Sequence, residues 1–391
     1  MHTMSIQPDP RFMFRERELA RIADVLSHRQ SVLLVGIRRT GKTQLMKAAL
    51  RDVQARRAQG MAVYLDVSNV ISLPDFYQQL LSSMPRSVRR RMSDLLGAAR
   101  TVPTRLVEWV RQHVDQAEVM GVSIDLNPPD EQTRAALPRY WEPLLSVLER
   151  AVAEHDIADL PVIGLDELPF MLQNLLDRQA TVEDLTVLLS SLRKLRDAGL
   201  RMVIGGSISM ENLLTLQGIP HTVLGGLWRE AVPPFTREEA TLYLARELKD
   251  RPAAGSITLV LDSLPDLVPE FLQSASTVLR SLGDAGEVPH ALRQQVMPAI
   301  RRSFLQQFVE RLDRHYRSDE ARTCAEAILD QIAQHPACGG LLDARALPAA
   351  AWRQVLTRLY YDMYLCEGDD MGHRFTLNLL RQWWRAERGL A

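Results

Sequence analysis

An α/β fold built on a parallel sheet, with helices on both faces and a helical C-terminal part, is what this sequence predicts, on three observations. Short runs such as Ser31-Val32-Leu33-Leu34-Val35, Leu160-Pro161-Val162-Ile163-Gly164-Leu165-Asp166 and Leu200-Arg201-Met202-Val203-Ile204 are apolar along most of their length, as strands buried on both faces are. Helical patterns separate them, notably Tyr140 to Glu154 and Val182 to Ala198, and that alternation generates parallel sheets. The first run leads directly into Gly36-Ile37-Arg38-Arg39-Thr40-Gly41-Lys42-Thr43, which fits G-x-x-x-x-G-K-[ST] at every fixed position.

The elements follow in order. Between Phe14 and Leu26 the apolar positions 19, 22, 23 and 26 mark one face of a helix ahead of the first strand. Gln44 to Arg51 reads as the helix behind the loop, Met61 to Val67 as a second strand, and Ala231-Val232 before Pro233-Pro234 as a short fifth. The interval from Gly36 to Asp166 is long for the two halves of one compact site and mostly helical in pattern, so an insertion is expected at about residues 70–155. Within it Val119 to Leu126 alternates weakly, as a strand or hairpin would. Thr236 with Glu239 forms a capping box that opens a helix to about Lys249. Ile257 to Ser281 reads as a small helical lid and Pro289 to Tyr316 as further helix. From Arg322 the order is helix, break at Pro336 to Gly340, helix, then two short strands around an Glu367-Gly368-Asp369-Asp370 turn, the plan of a winged helix. The expected domains are a core at 1–235, a lid with connecting helices at 236–320 and a winged helix at 321–391.

The loop has a chemistry of its own. Gly36 and Gly41 let backbone N–H groups turn inward around phosphate oxygens, Lys42 adds charge at the β- and γ-phosphates, and Thr43 offers a hydroxyl to Mg2+. Arg38, Arg39, Thr40 and Gln44 complete the nucleotide-binding stretch, so the chain is expected to bind a nucleoside triphosphate. Asp166 and Glu167 end the third strand, where parallel sheets place ligand-binding residues. Asp166 is suited to hold the metal and Glu167 to polarise the attacking water. Ser207 follows Gly205-Gly206 at the end of the fourth strand and is either a contact to the γ-phosphate or water, or a turn or helix cap together with Ser209.

Composition narrows the classes. The 391 residues suggest two or three domains at about 150 residues each. Hydrophobic residues at 46% and charged residues at 24% are near globular averages, which excludes a fibre or a disordered chain. A net charge of −1 argues against whole-molecule attraction to nucleic acid; Arg86, Arg89, Arg90 and Arg91 are the densest basic cluster, read as a solvated helix face. With no apolar stretch of about 20 residues and no signal-peptide core, a cytoplasmic protein without a membrane span is expected. Cys324, Cys338 and Cys366 lack metal spacing and read as free thiols.

The chain resembles the archaeal-type ATPases of the AAA+/STAND group, which also occur in bacteria and carry a C-terminal winged helix. The resemblance lies in Phe14-Arg15-Glu16 with Glu18-Leu19, the loop Gly36 to Thr43, Leu165-Asp166-Glu167-Leu168-Pro169-Phe170, Gly205-Gly206-Ser207-Ile208-Ser209-Met210, and Arg374-Phe375 through Leu380-Arg381-Gln382-Trp383-Trp384-Arg385. It implies an α/β ATPase core, a helical lid, ATP or ADP with Mg2+, Asp166 and Glu167 as the Walker B pair, Ser207 as a sensor, and Phe14 and Arg15 beside the adenine. Two positions depart from the family. The lid motif Gly-Gly-x-Pro is replaced by Asp266-Leu267-Val268-Pro269, keeping Pro269 as an adenine contact on the proline alone. The family's Gly-Arg near the fifth strand becomes Gly225-Gly226-Leu227-Trp228-Arg229, leaving Arg229 as a candidate arginine finger across a subunit interface, with a structural arginine the better reading. The favoured function is a nucleotide-driven switch whose output is homo-oligomer assembly or a protein partner. A DNA-acting ATPase is the alternative, less favoured because the helix Trp352 to Leu359 carries only Arg353 and Arg358 for phosphate contacts. Trp383 and Trp384 are expected to pack rather than stack on bases.

Overall fold

A computed structural model describes residues 13–56, 61–98, 103–105, 107–108, 131–132, 139–178, 180–249, 251–336, 339–347, 351–368 and 371–390. The chain forms two compact units, Met1–Val35 with Gly41–Val232, and Gly36–Thr40 with Pro233–Ala391.

The first unit is a three-layer α/β structure. Its five strands are β1 (Ser31–Val35), β2 (Ala62–Asp66), β3 (Val162–Asp166), β4 (Arg201–Ile204) and β5 (Leu227–Ala231), in the spatial order β2-β3-β4-β1-β5 with every pairing parallel. Alternation divides their side chains between two cores. Val32, Leu34, Tyr64, Val162 and Val203 meet α1 (Glu16–Ser27) and α2 (Lys42–Ala55) on one face. Leu33, Ile163, Leu165, Met202 and Ile204 face the larger core on the other. That core is covered by α3 (Leu73–Ser82), α4 (Arg86–Ala98), α5 (Trp141–Ala153), α6 (Leu168–Asp177), α7 (Val182–Asp197) and α8 (Met210–Gln217). The described helices of the expected insertion are packed into this unit's core: Tyr77 of α3 stacks on Trp141 of α5 at 3.7 Å and 5°, and the indole N–H of Trp141 donates to Ser191 of α7 at 3.1 Å. The four arginines of α4 do not form one basic face, because Arg89 is buried and Arg91 pairs with Glu154 at 2.5 Å. Val119 to Leu126 lies outside the described residues.

The fifth strand starts earlier than the sequence suggests, at Leu227 rather than Ala231. It lies at the sheet edge, and its one buried residue is the polar Glu230, so it lacks the apolar run that marks the inner strands. Glu230 is satisfied by Arg21 of α1, whose Nε donates to both carboxylate oxygens at 2.9 and 3.1 Å, and by the indole N–H of Trp228 at 3.2 Å.

The second unit is mainly helical. It contains α9 (Arg237–Leu248), opened by the Thr236 and Glu239 capping box, α10 (Ile257–Ser263), α11 (Pro269–Leu279), α12 (Met297–His315), α13 (Asp319–Gln334), α14 (Trp352–Tyr361), the antiparallel hairpin β6 (Leu365–Glu367) and β7 (His373–Phe375), and α15 (Asn378–Arg388). Its core is bound by an aromatic series: Phe271 of α11 meets Phe304 of α12 edge-on at 5.1 Å, Phe304 meets Phe308 at 5.4 Å, and Phe308 meets Tyr364 edge-on at 5.1 Å. Trp384 is buried and its indole N–H donates to Asp330 of α13 at 2.8 Å. Cys324 is buried and Cys366 half-buried, both as free thiols, while Cys338 lies outside the described residues.

The departure from the lid motif has a physical use here. Leu377, at the N-cap of α15, has no side chain able to accept from the first helical N–H groups. Asp266 does this from a distance, its two carboxylate oxygens accepting from the backbone N–H of Asn378 at 2.9 Å and Leu379 at 2.7 Å. Asp266→Ala is expected to lower stability by about 1–2 kcal/mol, the scale of a lost N-cap. Chemical denaturation of the whole chain checks it, and an unchanged midpoint would show that water replaces the cap at no cost.

Candidate functional site

The loop between β1 and α2 takes the backbone path its sequence requires. Gly36 has φ 152°, Arg39 φ 74° and Gly41 φ 96°, and Gly41 is the N-cap of α2, where no side chain could sit without left-handed strain. Thr40 is buried and its hydroxyl donates to the carbonyl of Ile37 at 2.9 Å, closing the loop on itself. Lys42 and Thr43 then begin α2, whose N-terminus carries positive partial charge. Lys42 is buried. Arg39 is committed elsewhere in its unit, pairing with Glu270 on the first turn of α11 and donating to Ser303 at 3.0 Å. Burial pushes the Glu270 carboxyl up, and Arg39 and Arg38 pull it back.

β3 delivers Asp166 to the same end of the sheet. Its carboxylate is buried, with Oδ1 accepting from the backbone N–H of Glu167 at 3.1 Å and Oδ2 from the hydroxyl of Tyr64 at 2.8 Å. Burial pushes the Asp166 carboxyl above the usual range, the Thr43 and Tyr64 hydroxyls pull it back, and the charges of Glu167 and Asp66 raise it further. A hydroxyl and a desolvated carboxylate, both hard oxygen donors, suit Mg2+, which keeps several waters and needs few protein ligands. Among the described residues no group of three or more His, Cys, Asp or Glu forms a metal cage.

Glu167 has a left-handed backbone, φ 61° and ψ 27°, at the N-cap of α6. Its Oε2 accepts from both the backbone N–H of Ser207 at 3.0 Å and the Ser207 hydroxyl at 2.7 Å. Ser209, not Ser207, is the helix cap: it opens α8 by accepting from Asn212 N–H at 3.1 Å. The sequence could not show that Ser207 would hold the neighbouring acid. It also passed over Tyr64, whose relation to Asp166 exists only once β2 and β3 are known to be adjacent and in register, with Asp66 opposite Asp166 and Tyr64 opposite Gly164.

The remaining candidates are more dispersed. Phe14, with φ 59°, and the buried Arg15 precede α1, where Arg15 reaches Glu18 at 3.5 Å. Gln44 lies in the first turn of α2. Pro269 opens α11 in the second unit. Arg229 lies on β5 and pairs with the buried Glu211 of α8 at 2.6 Å.

No protein-family model matches the chain, and no curated protein matches it in sequence. Among solved structures it is similar to the ORC2 protein of Aeropyrum pernix in its ADP form, at 15% identity, with 98% of this chain and 97% of that one covered and a TM-score of 0.46. It is also similar to the ORC1 protein of Aeropyrum pernix in complex with DNA, at 16% identity, 98% and 96% coverage and a TM-score of 0.35. A third is AMPPCP-bound DnaA from Aquifex aeolicus, at 11% identity, 90% and 77% coverage and a TM-score of 0.31. At such values the chemistry has to be read from this chain's own residues.

The Arg229 pair makes a direct test of its structural role. Removing one partner of a buried ion pair costs about 3–5 kcal/mol, and because the Arg229 side chain is 51% exposed the expected loss for Arg229→Ala is nearer about 1–2 kcal/mol. Adding Glu211→Gln, which removes the stranded charge, should recover part of it. A fully stable Arg229→Ala chain in thermal denaturation would remove the structural role.

Proposed function

We propose that the chain binds ATP or ADP with Mg2+, hydrolyses ATP slowly, and works as a nucleotide-driven switch of conformation or assembly. The observation that carries this is the glycine-bounded loop that opens α2 at Lys42 and Thr43, with the buried Asp166 carboxylate, held by Tyr64 and the Glu167 N–H, at the end of β3, where the Thr43 hydroxyl pulls the carboxyl back down. The two halves of a phosphate and metal site would then lie at the same end of one parallel sheet, the usual place for a ligand in such folds. In this reading the loop N–H groups and Lys42 hold the phosphates, with Arg38, Thr40 and Gln44 in the same stretch, and Thr43 and Asp166 hold Mg2+. Bound Mg2+ would neutralise charge on the phosphate oxygens. Phe14, Arg15 and Pro269 are assigned to the adenine side by their likeness to the AAA+/STAND pattern, with residues 321–391 as a winged helix and 236–320 as lid and connecting helices.

Glu167 is the residue to accept a proton from the attacking water. Ser207 donates to one oxygen of that carboxylate through both its backbone N–H and its hydroxyl, which fixes the acid's orientation. Ser207 thus acts here by holding Glu167. Arg39 supports the switch: phosphate in the loop competes with Glu270 for its guanidinium, so nucleotide state and the first turn of α11 are linked within one unit. Arg229 is read as structural. The output is proposed to be a second copy of the chain or a protein partner. Duplex DNA is the weaker reading, since Arg358 lies over the Tyr316 ring at 4.6 Å and Arg353 over Trp352 at 5.2 Å.

Two substitutions test the reading. Lys42→Ala is expected to lose nucleotide binding, because a charge-assisted contact is worth about 1.5–3 kcal/mol and the loop's phosphate charge rests on it. Undiminished ATP affinity by calorimetry would overturn the site. Glu167→Gln should keep ATP and lose turnover, since an amide cannot take the proton, and its ATP complex should differ from the ADP complex in assembly state by light scattering. Parental phosphate release would remove Glu167 from the chemistry, and identical assembly in both complexes would remove the switch.

A further inference from the structure

Resting on the nucleotide reading, we propose that Tyr64 is a positioning residue for the Asp166 carboxylate and therefore for Mg2+-nucleotide. Tyr64 is 4% exposed, on β2, the strand beside β3. Even-numbered positions of both strands face the α1 and α2 core, and Tyr64, in register with Gly164, reaches along the sheet to the carboxylate two positions further on. Gly164 belongs to the same arrangement: a Cβ there would meet Leu50 Cδ1 of α2 at 2.6 Å, so the helix that carries Lys42 and Thr43 lies directly on the strand that ends in Asp166. On the outer side Lys47 of α2 puts its ammonium 4.6 Å from the Tyr64 ring centroid. The ring is held between the loop's helix and the acid's strand.

The hydroxyl is used in a way packing alone does not require. A buried tyrosine hydroxyl needs a partner, and a backbone carbonyl would suffice for stability. Here it donates to Oδ2 of a buried carboxylate at 2.8 Å, while Oδ1 takes the Glu167 N–H at 3.1 Å. With a donor on each oxygen the carboxylate plane is fixed. Partners of this kind orient metal-binding carboxylates and set the affinity of the site. Tyr64 touches neither the nucleotide nor the metal in this scheme and acts through Asp166.

The test separates Mg2+-dependent from Mg2+-independent binding of ADP to the full chain, measured by calorimetry in Mg2+ and in EDTA. Tyr64→Phe should lower the apparent Mg2+ affinity of the ADP complex by about tenfold to a hundredfold, the usual effect of losing such a partner, and leave ADP affinity in EDTA unchanged. The loss should vanish when Asp166→Asn is already present, because the hydroxyl has no carboxylate left to orient. Tyr64→Met, which also lacks the hydroxyl, serves as the second variant and should show the same Mg2+-selective loss. Parental Mg2+ dependence in both variants, or equal losses with and without Mg2+, would assign Tyr64 to packing and overturn the proposal. Lys42→Ala keeps the two ideas apart: if it binds ADP normally the nucleotide reading fails, whereas if it loses ADP and Tyr64→Phe is silent, only the role of Tyr64 fails.

Discussion

The first unit depends on a carboxylate that its fold buries. Asp166 ends a strand whose five residues are all buried, so it is carried out of water by the same packing that makes β3 the sheet's interior. An isolated charge there would be costly, and the surrounding structure answers with hydrogen bonds from the Tyr64 hydroxyl and the Glu167 N–H, while the Thr43 hydroxyl also pulls the carboxyl down. Each donor comes from a different element: β2, the turn into α6, and α2. The acid thereby ties β2 and α2 to its own turn, more than a hundred residues further along the chain. Its remaining unfavourable charge is what a divalent cation would relieve, so one constraint serves both the fold and the proposed chemistry.

Legibility followed burial. β1, β3 and β4 were readable because strands covered on both faces must be apolar throughout, and the loop was readable because phosphate chemistry demands glycines and a lysine at fixed spacing. β5 was misplaced for the complementary reason. As an edge strand it exposes Trp228 and Arg229 and buries Glu230, which Arg21 of α1 and the Trp228 indole N–H make tolerable. Tyr64 carried no signal, since its apolar-strand setting is ordinary and alternation gives its face without naming its neighbour. The joint action of Ser207 and Glu167 was hidden likewise, because it needs β4 beside β3 and a left-handed backbone at a non-glycine position.

The helical unit shows how a departure from a family pattern can be read physically. Where the resemblance leads one to expect glycines, Asp266 stands and caps a helix more than a hundred residues further along the chain. A glycine could not do this. The Asp266 carboxyl is half-buried, which pushes it up, and the two N–H groups and the Arg374 charge pull it down again, so the cap compensates a cost created by its own location. The aromatic series from Phe271 through Phe304 and Phe308 to Tyr364 runs between the same regions, so α11, α12 and the hairpin share one core.

That shared core constrains how nucleotide could act on this part of the chain. Glu270, which holds Arg39, is adjacent to Phe271, the first ring of the series, and both belong to the first turns of α11. Packed aromatic cores move between discrete arrangements rather than deforming smoothly. An ion pair at a partly exposed position is worth little by itself. Its effect on the unit would come from the ring it sits beside, which is why the pair's location on α11 matters more to a switch than its strength.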